Sequence, residues 1–340
     1  MKDKCYIFLS DENKYGTIYE VLLDDVLNQE NVYYLERTFV CNGKLFNIFK
    51  KIMFSTVLNK KFKEIPSRIA YRLLSRKYAL KKEINTRLEQ YEEVKVIFFN
   101  ASIKRYYSTK VLRNLKNTDR VHFIMFFMDP TSIFASESVV KIIEEEPCLF
   151  EQIYTVDKQD SKDRGWIYWP TPYSKVDVSK KEKYDLYFCG ATKNRHKLII
   201  DLIEIFKEKG INTKWDVFYI KKKERQLSEL QSVLNIKSIE HMLCYRETIE
   251  CLNQSQCILE LITEGQSATF TLRDYEAVVY NKKLLTNNKK IFEFPYYDER
   301  FMKYFENIND IDFNWIKNPI DVEYNYKGEY SPTNLIERIG

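Results

Sequence analysis

The sequence predicts an α/β protein built from two successive doubly wound domains, each with a parallel sheet that is covered by helices on both faces. Candidate strands and helices alternate along most of the 340 residues. The strands are near-continuous apolar runs, as expected of parallel strands buried on both faces. At 168–185, two prolines and a run of charged residues separate one alternating series from the next, which is typical of a linker.

The first series begins with a buried strand and a polar turn at 5–16, followed by a helix at 17–27 whose apolar residues recur at helical spacing. Its other candidate strands lie at 31–36, 94–101, 121–130 and 152–156, and its other candidate helices lie at 106–116 and 136–146. The segment 50–82 also carries apolar residues near the helical period, interrupted by Pro66.

The second series repeats this alternation. Its candidate strands lie at 185–190, 215–220, 257–262 and 283–286, with a short apolar run at 239–244, and its candidate helices lie at 193–209, 222–234, 247–256 and 270–281. We therefore expect a first domain at 1–172 and a second domain at 173–300. A tail at 301–340, which has no assignable pattern, could pack back on the first domain.

The amino-acid composition predicts a soluble globular protein and gives little support to a zinc-binding one. The chain is 44% hydrophobic and 30% charged, which is globular, and it is long enough for two domains. Seven cysteines without a CxxC pair and only three histidines give little support to a zinc site, and reduced, buried thiols are typical of a cytosolic protein. Without a signal peptide or an apolar run near 18 residues, the sequence predicts a soluble intracellular protein.

Charge is concentrated in one segment. The range 50–82 holds eleven Lys or Arg and one acid, Glu64, so its local charge is +10 although the whole chain carries only +5. A solvated helical face would carry interleaved acids, and a nucleic-acid patch would come with a recognised module. A basic, apolar-rich helix suits an anionic membrane surface, which we expect as a partner.

Ligands of open parallel sheets bind at the carboxyl ends of strands, where loops lead into helix N-termini. The first such loop in the second half, "CGATKNRHK", offers Gly190 for a tight turn and Lys193 and Arg195 at the start of a helix. Phosphate oxygens suit this arrangement, because Arg binds them in a bidentate manner and an anion would offset cations at a helix N-terminus. The alternative is a solvated helix start. His196 is a weaker candidate than Arg195.

The second loop and its helix read "EGQSATFTLRDYEA". Donors for a diphosphate are Gly265, Gln266, Ser267 and Thr269 in the loop and Arg273 in the helix. Glu276 follows Arg273 by three residues on the same helix face and could accept hydrogen bonds from a ribose diol. The alternative is a capped helix that carries a surface Arg–Glu pair.

The third loop, "TNNKKI", places Asn287, Asn288 and Lys289 at the same edge of the predicted sheet. An ordinary polar loop is the alternative for this segment.

Two runs resemble the C-terminal domain of bacterial glycosyltransferases for surface polysaccharide: "YDLYFCGATKNRHKLIIDLIEIF" and "CILELITEGQSATFTLRDYEAVVYNKKLLTNNKKI". The likeness is to the capsule and lipopolysaccharide biosynthesis group with an EGQS…LR…EA signature, and 153–173 fits the interdomain region of that group. The resemblance to this group extends over residues 120–300, approximately. Such enzymes have the GT-B architecture, so the resemblance implies two Rossmann-like domains that face a cleft.

The resemblance also implies roles for residues. Gly190 and Arg195 correspond to residues that hold the donor diphosphate, and 264–267 correspond to the loop over the sugar and phosphates, which makes Glu264 a catalytic candidate. Glu276 corresponds to the acid on the ribose. Glu264 and Glu276 are twelve positions apart, farther than the two acids of better-known GT-B transferases.

GT-B enzymes generally stabilise the departing nucleoside diphosphate without a metal, so we expect neither a metal nor another cofactor. The only DxD, Asp310 and Asp312, lies in the tail and is predicted to be a solvated turn. An inverting reaction needs a base from the first domain. Asp129, after the strand at 121–130, and Asp11 or Glu12, in the first loop, are candidates, although Asp129 could merely cap a turn.

The resemblance and the loops together predict a glycosyltransferase. It would move a sugar from a UDP- or GDP-linked donor to a lipid-linked glycan, such as one on polyprenyl diphosphate, at the inner face of the cell membrane. We expect a cytoplasmic, peripheral protein that does not bind nucleic acid. The alternative is a non-catalytic tandem Rossmann module that binds a nucleotide or another anion. A dehydrogenase is disfavoured because no GxGxxG occurs.

Overall fold

A computed structural model describes most of the chain. The described residues are 2–10, 18–35, 79–99, 109–178, 181–218, 244–263 and 270–340, except 117, 133 and 193, together with isolated positions between 48 and 69. The chain divides into two compact units: unit 1 comprises 1–15, 23–172 and 332–340, and unit 2 comprises 16–22 and 173–331.

Unit 1 is built on a parallel sheet of six strands in the order β2-β1-β3-β4-β5-β6. The strands are β1 (Lys2–Leu9), β2 (Val32–Leu35), β3 (Tyr91–Phe99), β4 (Val121–Phe127), β5 (Gln152–Thr155) and β6 (Ile167–Tyr168). Its principal described helices, numbered with those of unit 2 in chain order, are α2 (Asp24–Leu27), α3 (Ala79–Leu88), α4 (Thr109–Leu115), α5 (Phe134–Glu145), α6 (Lys158–Arg164) and α11 (Pro332–Ile339).

Both faces of this sheet are buried, which explains the near-continuous apolar runs. One face packs residues such as Ile7, Val96 and Phe123 with apolar residues of the helices α3, α4 and α5. The opposite face carries a row of aromatic rings, in which Phe8 stacks on Phe99 with ring centroids 5.5 Å apart. The same row continues through Phe126 to Tyr154.

Unit 2 contains a parallel sheet of five strands in the order β11-β10-β9-β7-β8. The strands are β7 (Tyr184–Ala191), β8 (Thr213–Phe218), β9 (Ser255–Glu260), β10 (Lys283–Thr286) and β11 (Met302–Tyr304). The described α-helices are α1 (Ile18–Leu22), α7 (His196–Glu208), α8 (Tyr245–Asn253), α9 (Leu272–Val279) and α10 (Phe313–Lys317). One face of the sheet packs against α7 and α10 through residues such as Phe188, Phe206 and Ile316.

The strand order of unit 2 changes direction at β7, because β8 lies on one side of it and β9, β10 and β11 lie on the other. Such a reversal is a topological switch point, and ligands of open α/β sheets bind beside it at the carboxyl ends of the strands. The loops that follow β7, β9 and β10 are therefore the part of unit 2 that the fold favours for a ligand.

The structure confirms the predicted α/β class with two parallel sheets. The predicted helix at 17–27 is two short helices, α1 and α2, and the patternless tail contains β11, α10 and α11. Residues 171–174 are buried, although prolines followed by charges are typical of an exposed linker. The predicted helix 222–234 and most of the apolar run 239–244 lie outside the described residues.

A buried lysine fastens the last part of unit 2 to its sheet. Lys283 on β10 is 1% exposed, and its ammonium donates hydrogen bonds to the carbonyls of Trp315 (2.8 Å), Ile316 (2.7 Å) and Asn318 (3.0 Å). These carbonyls lie at the C-terminal end of α10, where helical carbonyls have no intrahelical donor and where positive charge is favourable.

We expect Lys283→Met to destabilise the protein by roughly 2–4 kcal/mol, because three carbonyls at a helix end would lose a charged donor inside the core. The measurement is the free energy of unfolding in urea. Lys207→Met, which changes an exposed lysine of the same unit, is the matched control. Equal stability of the two variants would show that the buried ammonium contributes nothing.

Candidate functional site

The loop after β7 packs an arginine against the backbone of the strand it follows. The guanidinium of Arg195 donates from Nε (3.1 Å) and Nη2 (3.0 Å) to the carbonyl of Ala191, at the end of β7. Arg195 occupies the N-cap position of α7 without bonding the helix through its side chain. Its remaining N–H groups have no acceptor among the described residues.

Gly190 makes room for this guanidinium. A Cβ at Gly190 would lie 2.9 Å from Nη2 of Arg195 and 3.1 Å from Cζ of Phe188. Any other residue at this position would therefore displace the arginine or the ring. The pKa of Arg195 is lowered to about 10, chiefly by burial, while the charge of Glu260 raises this pKa and the charge of Arg273 lowers it. The guanidinium is thus desolvated and close to both charges.

A buried acid, Glu260, lies at the carboxyl end of β9 and is 3% exposed. One carboxylate oxygen accepts a hydrogen bond from the hydroxyl of Thr271, and the other accepts one from the hydroxyl of Thr286. Thr271 is the N-cap of α9, and Thr286 is the last residue of β10. Glu260 therefore joins the start of a helix to the ends of two strands.

Asp274 is a second buried acid in this cluster. Its Oδ2 accepts a hydrogen bond from the amide of Thr271 (2.6 Å), whereas Oδ1 has no partner among the described residues. Burial raises the pKa of Asp274 well above 3.8, and the charge of Glu260 raises it further. Burial also raises the pKa of Glu260 above 4.5, against the effect of the two threonine hydroxyls. The two neighbouring acids thus favour proton uptake.

Arg273 and Glu276 form an ion pair inside the unit. Nη1 of Arg273 donates to one oxygen of Glu276, and the hydroxyl of Tyr245 donates to the other. The chain of hydrogen bonds continues to Tyr173, whose hydroxyl lies 3.2 Å from that of Tyr245. The side chain of Arg273 is 17% exposed, and its other N–H groups have no acceptor in the described part of the chain.

Burial bears on two expectations for this helix. Glu276 is 0% exposed and both its oxygens accept hydrogen bonds within the protein, and its role toward a ribose stays a prediction. The Arg–Glu pair is not a surface pair, because the carboxylate is buried. Its geometry suits a different task, which is to hold Arg273 in place.

The loop after β10 uses its asparagines within the fold. The side chain of Asn287 accepts from the amide of Ile262 (2.7 Å) and donates to its carbonyl (3.4 Å), so it extends the pairing of the two strands. Asn288 caps a 3₁₀ turn through the amide of Lys290. Nδ2 of Asn288 is buried without a partner among the described residues, and Lys289 is exposed.

Several predicted site residues lie outside the described residues. They are Asp11 and Glu12 of the first loop, Lys193, and Glu264, Gly265, Gln266, Ser267 and Thr269. The structure thus brings Arg195, Arg273 and the asparagines to neighbouring strand ends, whereas the glycine-containing loop between β9 and α9 stays a sequence prediction.

In unit 1, Asp129 lies in the turn that follows β4 and is partly exposed. The two acids of the DxD have structural roles: Asp310 accepts from the amide of Asn307 (2.8 Å), and Asp312 caps α10 through the amide of Trp315 (3.0 Å). No group of three or more His, Cys, Asp or Glu could hold a metal ion within the described ranges.

Sequence reasoning missed Glu260, Asp274 and Tyr245. The signal for Glu260 was an acid at the end of an otherwise apolar strand, "CILELI", where a charge is costly unless it has partners. Asp274 follows Thr271 by three residues, which is the spacing of a capping box. No local pattern indicates Tyr245, because its partner Glu276 is 31 residues away.

We expect Gly190→Ala to displace the guanidinium of Arg195 and to destabilise the protein by roughly 1–3 kcal/mol, the usual cost of overpacking. In an Arg195→Ala background the same change should cost less, because only the contact with Phe188 would remain. Unfolding free energies of the two single variants and the double variant give the coupling. Strict additivity would contradict the predicted contact.

We expect Glu260→Gln to change how stability depends on pH. A carboxyl whose pKa is raised on folding stabilises the folded state at low pH, and this contribution is lost as the pH rises through the folded value. The stability of Glu260→Gln relative to the wild type should therefore increase as the pH rises above 4.5. Urea unfolding at a series of pH values measures it, with the exposed Glu293→Gln as control. A difference that does not vary with pH would refute the raised pKa.

Comparisons with known proteins show no established family. No family model and no curated protein matches the chain. Among solved structures, the chain is similar to an alpha-glucosyltransferase in complex with UDP and a 13-mer DNA containing an A:G mismatch, with 10% identity, a TM-score of 0.47, and coverage of 83% of this chain and 79% of that one.

Two further solved structures are similar at comparable sequence identity. One is a putative UDP-N-acetylglucosamine 2-epimerase from Listeria monocytogenes, with 11% identity, a TM-score of 0.48, and coverage of 100% of this chain and 96% of the other. The other is UGT71G1 of Medicago truncatula complexed with UDP-glucose, with 9% identity, a TM-score of 0.35, and coverage of 84% and 85%. All three TM-scores are below 0.5.

Proposed function

We propose that the chain is a GT-B glycosyltransferase that binds a nucleotide-sugar donor at the carboxyl edge of the sheet in unit 2. The observation that carries this proposal is a pair of guanidinium groups, Arg195 and Arg273, near the switch point of that sheet. Both are partly buried, the charge of Arg273 acts on Arg195, and each has N–H groups without an acceptor among the described residues. An anion with several oxygens, such as a diphosphate, matches these unused donors.

Some of the N–H groups of each guanidinium already donate hydrogen bonds within the protein. Arg195 is fixed to the carbonyl of Ala191, and Arg273 is fixed to Glu276, which Tyr245 orients in turn. A donor diphosphate would therefore meet groups that lose little conformational freedom on binding. We propose further donors from Lys193 and from Gly265, Gln266, Ser267 and Thr269, and from Asn287, Asn288 and Lys289 at the end of β10.

The reaction that fits these residues is transfer of a sugar with release of a nucleoside diphosphate. As the glycosidic bond to the diphosphate breaks, negative charge grows on the phosphate oxygens, and preorganised guanidinium groups and a helix N-terminus stabilise that charge. No metal is needed for this step. We propose Asp129 or Asp11 as the base that accepts the proton of the acceptor hydroxyl, and Glu264 as a further catalytic acid near the sugar.

For the acceptor we propose a lipid-linked glycan of bacterial surface polysaccharide, such as capsule or lipopolysaccharide, at the inner face of the cell membrane. No helix in the described part of the chain is long and apolar enough to cross a bilayer. The strongly basic segment 50–82 would instead attach the protein to anionic lipid from one side. We do not propose a nucleic acid as a partner, because no recognised nucleic-acid module accompanies this segment.

A non-catalytic module that binds a nucleotide or another anion is the second candidate. The buried hydrogen bonds of Glu260 and Glu276 favour neither role over the other, since both roles need a fixed anion site. Only turnover separates them: an enzyme releases free sugar or transfers it, whereas a sensor binds without chemical change.

We expect UDP or GDP to raise the thermal unfolding temperature of the wild-type protein, because a ligand at about 100 times its Kd adds roughly 2.7 kcal/mol of stability. Arg195→Ala should remove this stabilisation. Arg300→Ala, which changes a largely exposed arginine of the same unit, is the matched control and should keep it. A panel of nucleotide sugars then tests for slow hydrolysis of one donor.

Two results would contradict the proposal. If Arg195→Ala kept the full nucleotide response, the site would lie elsewhere. If the nucleotide bound but no sugar nucleotide in the panel was ever hydrolysed or transferred, the sensor would replace the enzyme.

A further inference from the structure

We propose that five exposed side chains, those of Ile48, Ile52, Phe62, Ile65 and Ile69, form an insertion face, which enters the surface of an anionic lipid bilayer. This inference deepens the membrane attachment named above and rests on the proposed function for its biological sense. It adds the residues that enter the lipid and a contribution to binding that does not depend on charge.

The first observation is where exposed apolar side chains lie. Ile48, Ile52, Phe62, Ile65 and Ile69 are 44–56% exposed. The other two large exposed apolar side chains of the described residues, Phe292 and Ile320, lie far from this segment in sequence and far from each other. Apolar exposure is thus concentrated in one stretch of about twenty residues, which marks an interaction surface.

The second observation is spacing. Ile48 and Ile52 are four positions apart, as are Ile65 and Ile69, and all four are helical. Phe62 precedes Ile65 by three positions, and the amide of Ile65 donates to its carbonyl (3.0 Å). Residues three or four positions apart share one side of a helix, so this spacing is the one expected of apolar side chains on a common face.

The third observation is charge, which selects the partner. The segment 50–82 carries a local charge of +10. Lys61 is exposed next to Phe62, with its Nζ 5.6 Å from the ring centroid. Helices with apolar residues on one face and basic residues around them lie in the plane of a bilayer surface, where cations meet lipid phosphates and apolar side chains enter the acyl boundary. An anionic bilayer would bind both the basic side chains and the exposed apolar side chains of this segment.

Co-sedimentation of the full chain with vesicles tests the proposal. We expect binding to vesicles that mix phosphatidylcholine and phosphatidylglycerol, and weaker binding to phosphatidylcholine alone. The double variant Ile65→Ser/Ile69→Ser keeps every charge and should lower partitioning by at least about tenfold, because two apolar side chains no longer leave water. Phe292→Ser/Ile320→Ser removes exposed apolar side chains elsewhere and should bind as the wild type does.

A fluorescence experiment reports insertion directly. In Phe62→Trp, anionic vesicles should move the added emission to shorter wavelength, since the indole would leave water. In Phe292→Trp the same vesicles should leave the emission unchanged.

The proposal is overturned if the wild type does not bind anionic vesicles, or if both double variants bind as the wild type does. It is also overturned if Ile65→Ser/Ile69→Ser leaves vesicle binding intact but abolishes self-association, because the face would then contact a second copy of the chain. The nucleotide response without vesicles is measured for the wild type. Its absence together with vesicle binding would remove the enzyme proposal and leave the insertion face standing.

Discussion

The carboxylate of Glu260 is the interaction on which the candidate site depends. It is buried at the end of β9. Each of its oxygens accepts a hydrogen bond from a threonine hydroxyl, and the two threonines belong to different chain segments. A buried carboxylate without such partners would be costly, so the three segments are held together by the need to satisfy it. Through Thr271 it fixes the start of α9, and its charge acts on Arg195, which belongs to the loop after β7.

The charges around Glu260 compensate one another in a region that excludes most water. Arg273 balances Glu276, and Tyr245 and Tyr173 continue the hydrogen bonds into the core of unit 2. Such networks hold side chains in one arrangement, because breaking one contact leaves a buried group unsatisfied. The arginines are therefore oriented by the fold before any ligand arrives, which is the property that an anion site needs.

The sequence contained the fold class and indicated part of the candidate site. Parallel strands buried on both faces are apolar along their whole length, so β3, β4 and β7 were recognisable. Gly190 and Arg195 could be named because a strand end followed by a glycine and a basic helix start is a local pattern. The helix α6 was missed because "KQDSKDR" buries no residue and has no apolar period, although Asp157 and Gly165 cap its two ends.

What could not be predicted depends on residues far apart in the chain. The sequence places Lys283 in a strand but does not predict its hydrogen bonds, because the carbonyls that it binds follow it by more than thirty residues. The burial of Glu276 likewise follows from Tyr245 and from the packing of α8 and α9, which no spacing within "LRDYEA" reveals. Local patterns indicate which residue types meet at a strand end, whereas tertiary packing decides which of them remain available.

The amide of Tyr173 donates a hydrogen bond to the carbonyl of Tyr330 (2.6 Å), at the two ends of the longest stretch of unit 2. The chain thus enters and leaves this stretch at adjacent points, as inserted domains do. Beyond it, the chain returns to unit 1 as α11, where Lys95 donates to the carbonyl of Ile339 (2.9 Å). A chain that stopped anywhere within 173–331 would therefore leave unit 1 without α11 and without the acceptor of Lys95.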